Sequence, residues 1–149
     1  MTWIADLETV DETHHLKAIG WLSLDHPFAN GLVTEEFFRK LCQILSNHWN
    51  PGPCPAGFHR CEFCRFTGNG SASFEGYEVV SWSKSELYVP GDGCIYIAPQ
   101  SIAHYIDAHG YRPPYEFIDA VLNCPPMRSV PYMKAILANG GRGLGKPPE

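Results

Sequence analysis

The sequence predicts a single α+β domain over residues 1–138, followed by a flexible glycine- and proline-rich tail over residues 139–149. Apolar side chains recur at helical spacing in TEEFFRKLCQILSNHW, and β-branched and aromatic runs follow in SELYVP and CIYIAP. The last third of the chain holds short apolar segments separated by proline and glycine, which is typical of short helices. These three observations favour helices packed on a small sheet.

The first clear element is a helix that begins after Thr34, whose side chain can cap it, with acidic residues in the first turn. Its apolar positions predict a core-facing stripe made of Phe37, Phe38, Leu41, Cys42, Ile44, Leu45 and Trp49. The segment KAIGWLSL, which precedes it, fits either a strand or a short helix, and DHPFANG is typical of a loop.

A small antiparallel sheet is expected next. FTGNGSAS is interpreted as a flexible loop, whereas FEGYEVVSW, SELYVP and CIYIAP are typical of strands, with the turn signal PGDG before the last. Leu87 and Val89 alternate on one strand, and Ile95 and Ile97 on the next. This pattern predicts a hairpin with one covered face.

Three short helices complete the domain. PQSIAHYIDAHG places Pro99 in a first turn and Gly110 at a left-handed cap. PPYEFIDAVLN follows, with Phe117, Val121 and Leu122 expected to face inward. The last helix is expected from about Val130 to the pair Asn139-Gly140, and these C-terminal helices are expected to pack on the sheet.

Charge argues against a nucleic-acid ligand. The formal net charge is −5, and residues 1–36 contain a single basic residue, Lys17, among many acids. Such a surface repels phosphate backbones, and Arg60 and Arg65 alone do not form a basic patch. We therefore expect no nucleic-acid partner.

The N-terminal stretch MTWIADLETVDETHH has acids where a secretory leader has basic and then apolar residues. No apolar window approaches the length of about 20 residues that spans a bilayer. We expect a cytoplasmic protein with no membrane partner. In a reducing compartment, cysteines are more often thiols or metal ligands than disulfides.

The segment CPAGFHRCEFC (residues 54–64), here called the cysteine motif, contains Cys54, His59, Cys61 and Cys64 in the spacing C-x4-H-x-C-x2-C. A closed tetrahedral Cys3His site would use all four, and the sequence therefore predicts a structural Zn²⁺ in a zinc knuckle that joins the N-terminal helical part to the sheet. A disulfide would need an oxidising compartment, and a redox pair would need a βαβ setting. A catalytic zinc would need an open position with a base such as Glu62.

The fourth ligand stays open at this point. Cys54 lies among prolines and could be incidental, in which case a distant ligand would replace it, with His104 first and His48 or Cys42 after it. Cys42, Cys94 and Cys124 are otherwise interpreted as small buried residues.

A second candidate site lies in YIAPQSIAHYIDAHGYRPPYEF. His104 and Asp107 are three residues apart on the predicted helix and could form an acid–base pair. The interpretation we prefer is structural: Ile102, Tyr105, Ile106 and His109 form a core stripe, with His109 satisfied by the helix end, while His104 and Asp107 lie at the surface. The sequence matches no nucleophile elbow, P-loop, dinucleotide-binding, zincin or zinc-deaminase signature.

FHRCEFC, a hairpin and YIAPQSIAHYIDAHGYRPPYEFIDAVL together resemble a group of uncharacterised bacterial proteins, over residues 58–122. The resemblance implies a small cytosolic domain with a metal knuckle and implies no activity. It stresses His59, Cys61, Cys64 and His104 more than Cys54, which keeps the distant ligand open.

The sequence-based expectation is thus a non-enzymatic, zinc-stabilised binding or adaptor domain that interacts with another protein, in regulation or in an immunity-type role. The alternative is a metal-dependent hydrolase with an open zinc at His59, Cys61, Cys64 and His104, and with Glu62 or Asp107 as base.

Overall fold

The computed structural model describes residues 3–10, 15–49, 63, 71–74, 76–80 and 86–144. Over these ranges the chain forms five strands and four α-helices and so has the α+β class that was predicted. The elements in chain order are β1 (Leu16–Ala18), α1 (Glu35–Leu45), β2 (Ser71–Phe74), β3 (Tyr77–Val80), β4 (Glu86–Pro90), β5 (Ile95–Pro99), α2 (Ile102–His109), α3 (Tyr115–Leu122) and α4 (Val130–Ala138).

The main sheet has three strands in the order β1-β5-β4. The expected hairpin is present, because β4 runs antiparallel to β5 with Glu86 opposite Pro99 and Pro90 opposite Ile95. Every residue of both strands is buried, so the expectation of a single covered face is wrong. However, β1 pairs with β5 in parallel, with Leu16 opposite Ile95, so the sheet is mixed rather than antiparallel. Alternation of apolar residues marks a strand but not the direction of its neighbour, and a parallel pair needs a long crossover, which here includes α1 and the β2–β3 hairpin.

Strands β2 and β3 form a separate antiparallel pair, with Ser71 opposite Val80 and Phe74 opposite Tyr77. Gly76 lies in the turn between them with φ +84°. The predicted loop FTGNGSAS is therefore wrong at its C-terminal end, where Ser71–Phe74 is a strand. Cross-strand hydrogen bonds outweigh the low strand propensity of serine and alanine at these positions.

Helix α1 begins as predicted. Thr34 is its N-cap, and its hydroxyl accepts a hydrogen bond from the Phe37 amide at 3.2 Å. The helix ends at Leu45, earlier than the spacing predicted. Trp49 still packs on the core, edge-on to the rings of Tyr88 and Tyr132.

The C-terminal helices agree with the predicted segments except at two positions. Gly110 caps α2 in the left-handed region at φ 69°. Pro99, however, is the last residue of β5, and Ser101 is the N-cap of α2, because pairing with Glu86 extends the strand. On α3, Phe117 and Val121 are buried as expected, whereas Leu122 is 38% exposed.

The core lies between the main sheet and the helices. Phe117 of α3 packs edge-on against Tyr96 of β5 and Phe37 of α1. The indole N–H of Trp21 donates to the carbonyl of Ile97 in the central strand at 3.0 Å. Cys42, Cys94 and Cys124 are buried, as the sequence predicted.

Part of the predicted tail lies within the described residues. The Asn139 side chain accepts a 2.8 Å hydrogen bond from the Gly93 amide, and a 3₁₀ turn spans Gly141–Gly143. Residues 145–149 lie outside the described ranges, and the boundary between domain and tail stays a prediction.

None of the helices in the described ranges has the length and apolar character needed to cross a bilayer.

Candidate functional site

The ligands predicted from the cysteine motif, Cys54, His59, Cys61 and Cys64, lie outside the described residues, as does Glu62. One residue of the motif, Phe63, is described, and so is His104, the alternative fourth ligand. Among the side chains that the structure describes, no three of the His, Cys, Asp or Glu type lie close enough to hold a metal ion. The described part of the site is therefore helix α2 and what packs on it.

Helix α2 presents one buried and one partly open side. Ile102, Tyr105 and Ile106 are buried, which confirms most of the predicted core stripe. His109, which was assigned to that stripe, is only half-buried, and so is His104, which was expected at the surface. Both histidines thus lie at the border between the core and solvent.

The two imidazoles of α2 lie next to each other. The ring centroids of His104 and His109 are 5.1 Å apart, and the ring planes are nearly perpendicular, at 82°. These residues are five positions apart, which corresponds to roughly 140° around an ideal helix. Their proximity therefore does not follow from helix geometry alone.

Phe63 packs on the same end of α2. Its ring centroid lies 5.3 Å from that of His109 and 6.1 Å from that of Tyr105. On its other side it meets Phe28 at 5.4 Å, and Phe28 in turn meets Tyr111 at 6.0 Å. Phe63, which lies between Cys61 and Cys64 in the sequence, is thus a half-buried aromatic side chain in contact with α2.

Burial governs the electrostatics of the pair. It lowers the pKa of His109, and it lowers the pKa of His104, to which the His109 ring adds a further lowering while the nearby Asp107 charge raises it. A histidine with a lowered pKa is neutral near pH 7, and the neutral imidazole is the form that coordinates metals. Asp107 itself is exposed, as the preferred interpretation of the sequence expected.

Three buried polar residues, one at the start of β4 and two between β5 and α2, were not identified from the sequence. Glu86, Gln100 and Ser101 are 1%, 6% and 2% exposed. Gln100 Oε1 and Ser101 Oγ find no hydrogen-bond partner among the described residues. Strand pairing of Glu86 with Pro99 brings these side chains to the same end of the sheet, and no local sequence pattern indicates that pairing.

A cavity of about 260 Å³ lies apart from α2, beside α1 and the connection from α3 to α4. Its lining includes Lys40, Gln43, Asn47 and Met127. The Lys40 ammonium donates to the Cys124 carbonyl at 2.9 Å. This lining offers no metal ligand of the Cys or His type and no acid–base pair.

A family model described as Domain of unknown function (DUF7919) matches residues 2–122. That span includes the cysteine motif and α2 and ends at the last residue of α3. No curated protein and no solved structure gives a significant match.

Proposed function

We propose that this chain, which belongs to the family described as Domain of unknown function (DUF7919), is a non-enzymatic, zinc-stabilised domain that binds another protein. The cysteine motif supplies the ligands, namely Cys54, His59, Cys61 and Cys64, with His104 as the alternative fourth. The ion would stabilise the fold, because the unfolded chain has no preformed site for it and the free energy of metal binding therefore favours the folded state.

The observation that carries this proposal is the packing of Phe63 on α2. Phe63 lies between two of the proposed thiolate ligands in the sequence, and its ring contacts Tyr105 and His109. An aromatic side chain anchored between Cys61 and Cys64 favours a motif that is fixed to the helical core. A motif fixed in this way supports an architectural role for the ion.

The surroundings of α2 favour a structural over a catalytic ion. Tyr105, Phe63, Phe28 and Tyr111 form a continuous chain of ring contacts, which His109 joins at Phe63 and His104 joins at Tyr105. A hydrolytic zinc keeps one coordination position for water or substrate, usually within a pocket that holds an acid or base. The cavity beside α1 lies apart from α2, and its lining holds no acidic side chain.

Exposed apolar side chains support a protein partner. Leu32 is 94% exposed, Tyr115 is 72% exposed and Leu24 is 62% exposed. The loop that carries Leu32 is hydrogen-bonded to the segment before α3, because the Gly31 amide donates to the Gly110 carbonyl and the Arg112 amide donates to the Ala29 carbonyl. Exposed apolar side chains that form one contiguous patch are typical of protein interaction surfaces, and the hydrogen-bonded loop and segment would place such a patch beside α3.

The structural role is tested by metal analysis and chelation. Purified protein is expected to contain one zinc per chain, and removal with a chelator should unfold it, as measured by circular dichroism. Cys61→Ser and Cys64→Ser should lose the metal, whereas His26→Gln, at an exposed histidine stacked on Trp3, should retain it. Absence of metal from the wild-type protein would refute the proposal.

A folded protein after metal removal, together with a cobalt derivative that carries an exchangeable water, would instead favour the hydrolase.

The binding role is tested with a photo-crosslinking side chain at position 115 in cells that produce the protein. A discrete protein adduct that disappears in Leu32→Asp but persists in Gln43→Asp would support it. Adduct formation that is equal in both variants would count against this surface.

A further inference from the structure

We infer that the cavity beside α1 binds a small organic carboxylate, held by the ammonium of Lys40 and the guanidinium of Arg128. The cavity, of about 260 Å³, is formed by the second half of α1, the two residues after it and the connection from α3 to α4. The residues that form it all lie within the described ranges. The inference goes beyond the proposed function and does not depend on a bound metal.

The charge of this cavity is opposite to that of the chain as a whole. The formal net charge is −5, yet the lining contains the Lys40 side chain and no Asp or Glu. Arg128 lies at its edge, because the guanidinium donates to the carbonyl of Asn47, a lining residue, and to that of His48. Within the described residues neither cation makes an ion pair with a carboxylate. An anion would therefore meet two positive charges and no competing acid in the lining.

Hydrogen bonds to backbone carbonyls fix both cations. Lys40 Nζ donates to the Cys124 carbonyl at 2.9 Å, and Arg128 Nη2 donates to the His48 carbonyl at 3.1 Å. An ammonium has three N–H donors and a guanidinium has five, so each head group keeps donors for a ligand. A long side chain that is fixed before binding costs less entropy to order on the ligand.

The C-terminal end of α1 would repel an anion if its carbonyl oxygens were free. The Gln43 carbonyl accepts a hydrogen bond from the Ser46 hydroxyl at 2.8 Å, and the Leu45 carbonyl accepts one from the His48 ring at 2.8 Å. Arg128 adds its positive charge at the same end of the helix. These donors reduce the repulsion that the helix end would otherwise exert.

Size and lining select the class of anion. Pockets for drug-sized ligands have volumes of about 300–1,000 Å³, and this smaller cavity matches a ligand about the size of an amino acid. Gln43, Ser46 and Asn47 provide amide and hydroxyl groups, whereas Ile44 and Met127 provide apolar surface. A single carboxylate on a body with one amide and a short aliphatic chain is complementary to these groups and to the two cations.

The first test titrates the full-length, nitrogen-15-labelled protein with N-acetylleucine and with N-acetylleucinamide, which lacks the negative charge. The acid should bind with a Kd of about 1 mM, as expected for so small a ligand, and shift the amide signals of Gln43, Asn47 and Met127. The uncharged amide should leave them unchanged. Equal responses to both compounds, shifts confined to other residues, or no response at about 20 mM acid would overturn the inference. So would an equally strong response to inorganic phosphate, because the site would then select charge alone.

Variants provide the second test. Gln43→Glu adds a carboxylate to the lining with little change in shape, at an exposed side chain. It should weaken binding of N-acetylleucine by about tenfold or more, because like charges a few ångströms apart repel by more than the thermal energy. Lys40→Met should weaken binding to a similar extent, roughly tenfold, through loss of the ammonium.

The matched control is Leu32→Asp, which adds the same charge before the start of α1, about 12 Å from Gln43 along the helix axis. Its affinity should stay within about twofold of wild type, because exposed charges more than about 10 Å apart are largely screened. Lys40→Met also loses the bond to the Cys124 carbonyl, so Gln43→Glu, with its fold checked by circular dichroism, decides the result. Unchanged affinity in folded Gln43→Glu, or an equal loss in Leu32→Asp, would refute the inference.

Discussion

The hydroxyl of Tyr111 donates a 2.8 Å hydrogen bond to Oδ2 of Asp6, which lies 105 positions earlier in the chain. The other carboxylate oxygen of Asp6 accepts from the Gly20 amide at 2.9 Å. Through these two bonds Asp6 joins the N-terminal segment to Gly20, shortly after β1, and to Tyr111, between α2 and α3. Tyr111 also contacts Phe28, which contacts Phe63, so this anchor is continuous with the aromatic chain beside the candidate site.

Asp6 should make stability depend on pH in an unusual direction. Burial raises the pKa of Asp6 above its ordinary value of 3.8, against the hydrogen bonds from Gly20 and Tyr111, which lower it. The native state therefore keeps this proton to a higher pH than the unfolded chain does. Its contribution to the free energy of unfolding is present below about pH 3.8 and is lost as pH rises through the native pKa.

We expect Asp6→Asn to remove this part of the pH dependence while it preserves hydrogen bonding, because an amide can accept from Gly20 and donate to the tyrosine hydroxyl. Asp6→Ala should instead lower the free energy of unfolding by about 1–3 kcal/mol, since it leaves buried donors without an acceptor. Urea unfolding between pH 4 and pH 7 measures both. Identical pH slopes for Asp6→Asn and wild type would contradict the assignment.

Gly20→Ala should lower the free energy of unfolding by more than the left-handed backbone conformation at this position accounts for. Gly20 has φ +77°, and an added methyl group would lie 3.2 Å from two side-chain carbons of Ile102. The left-handed conformation alone costs about 1–2 kcal/mol for a residue with a side chain. Gly93 is the matched control, since its φ is +75° and nothing lies within 4 Å of the added methyl.

Thermal and urea unfolding should therefore show a larger decrease in the free energy of unfolding for Gly20→Ala than for Gly93→Ala. Equal losses would mean that Ile102 moves aside at no cost and that the contact is not tight.

Tyr132→Phe tests the junction of α4 with strand β4. The buried hydroxyl of Tyr132 donates to the Tyr88 carbonyl at 2.6 Å. Its removal should lower the free energy of unfolding by about 0.5–1.5 kcal/mol, the net value of one intramolecular hydrogen bond. Tyr115→Phe, at a side chain that is 72% exposed, should change it little, and similar effects for both variants in urea unfolding would argue against this bond.

His48 should contribute to acid destabilisation. Burial lowers the pKa of His48 from its ordinary value of 6.5, the Leu45 carbonyl raises it, and the Arg128 charge lowers it further. The unfolded chain therefore binds a proton that the native state rejects, and stability is lost as pH falls below about 6.5. His48→Asn, which can still donate to the Leu45 carbonyl, should lose less stability than wild type between pH 7 and pH 5. Parallel pH curves for the two proteins would contradict this.

The candidate site was only partly predictable from sequence. The spacing of the cysteine motif predicted a metal site with His104 as the alternative fourth ligand, and this stays a prediction, whereas His109 was assigned to a helix-end role. The proximity of its ring to His104 depends on Gly110 reversing the chain and on Phe63 packing from a distant segment.

The sequence by itself determined the features that depend on a few neighbouring residues. These are the Thr34 cap of α1, the left-handed Gly110 at the end of α2, the β4–β5 hairpin and the burial of the three described cysteines. The tertiary structure decided the parallel pairing of β1 with β5, the end of β5 at Pro99, the bond from Tyr111 to Asp6 and the pairing of His104 with His109. Capping and turn preferences act over about one turn of chain. The contacts in the second group depend on segments that are distant in sequence, and these segments come together only when the whole core is buried.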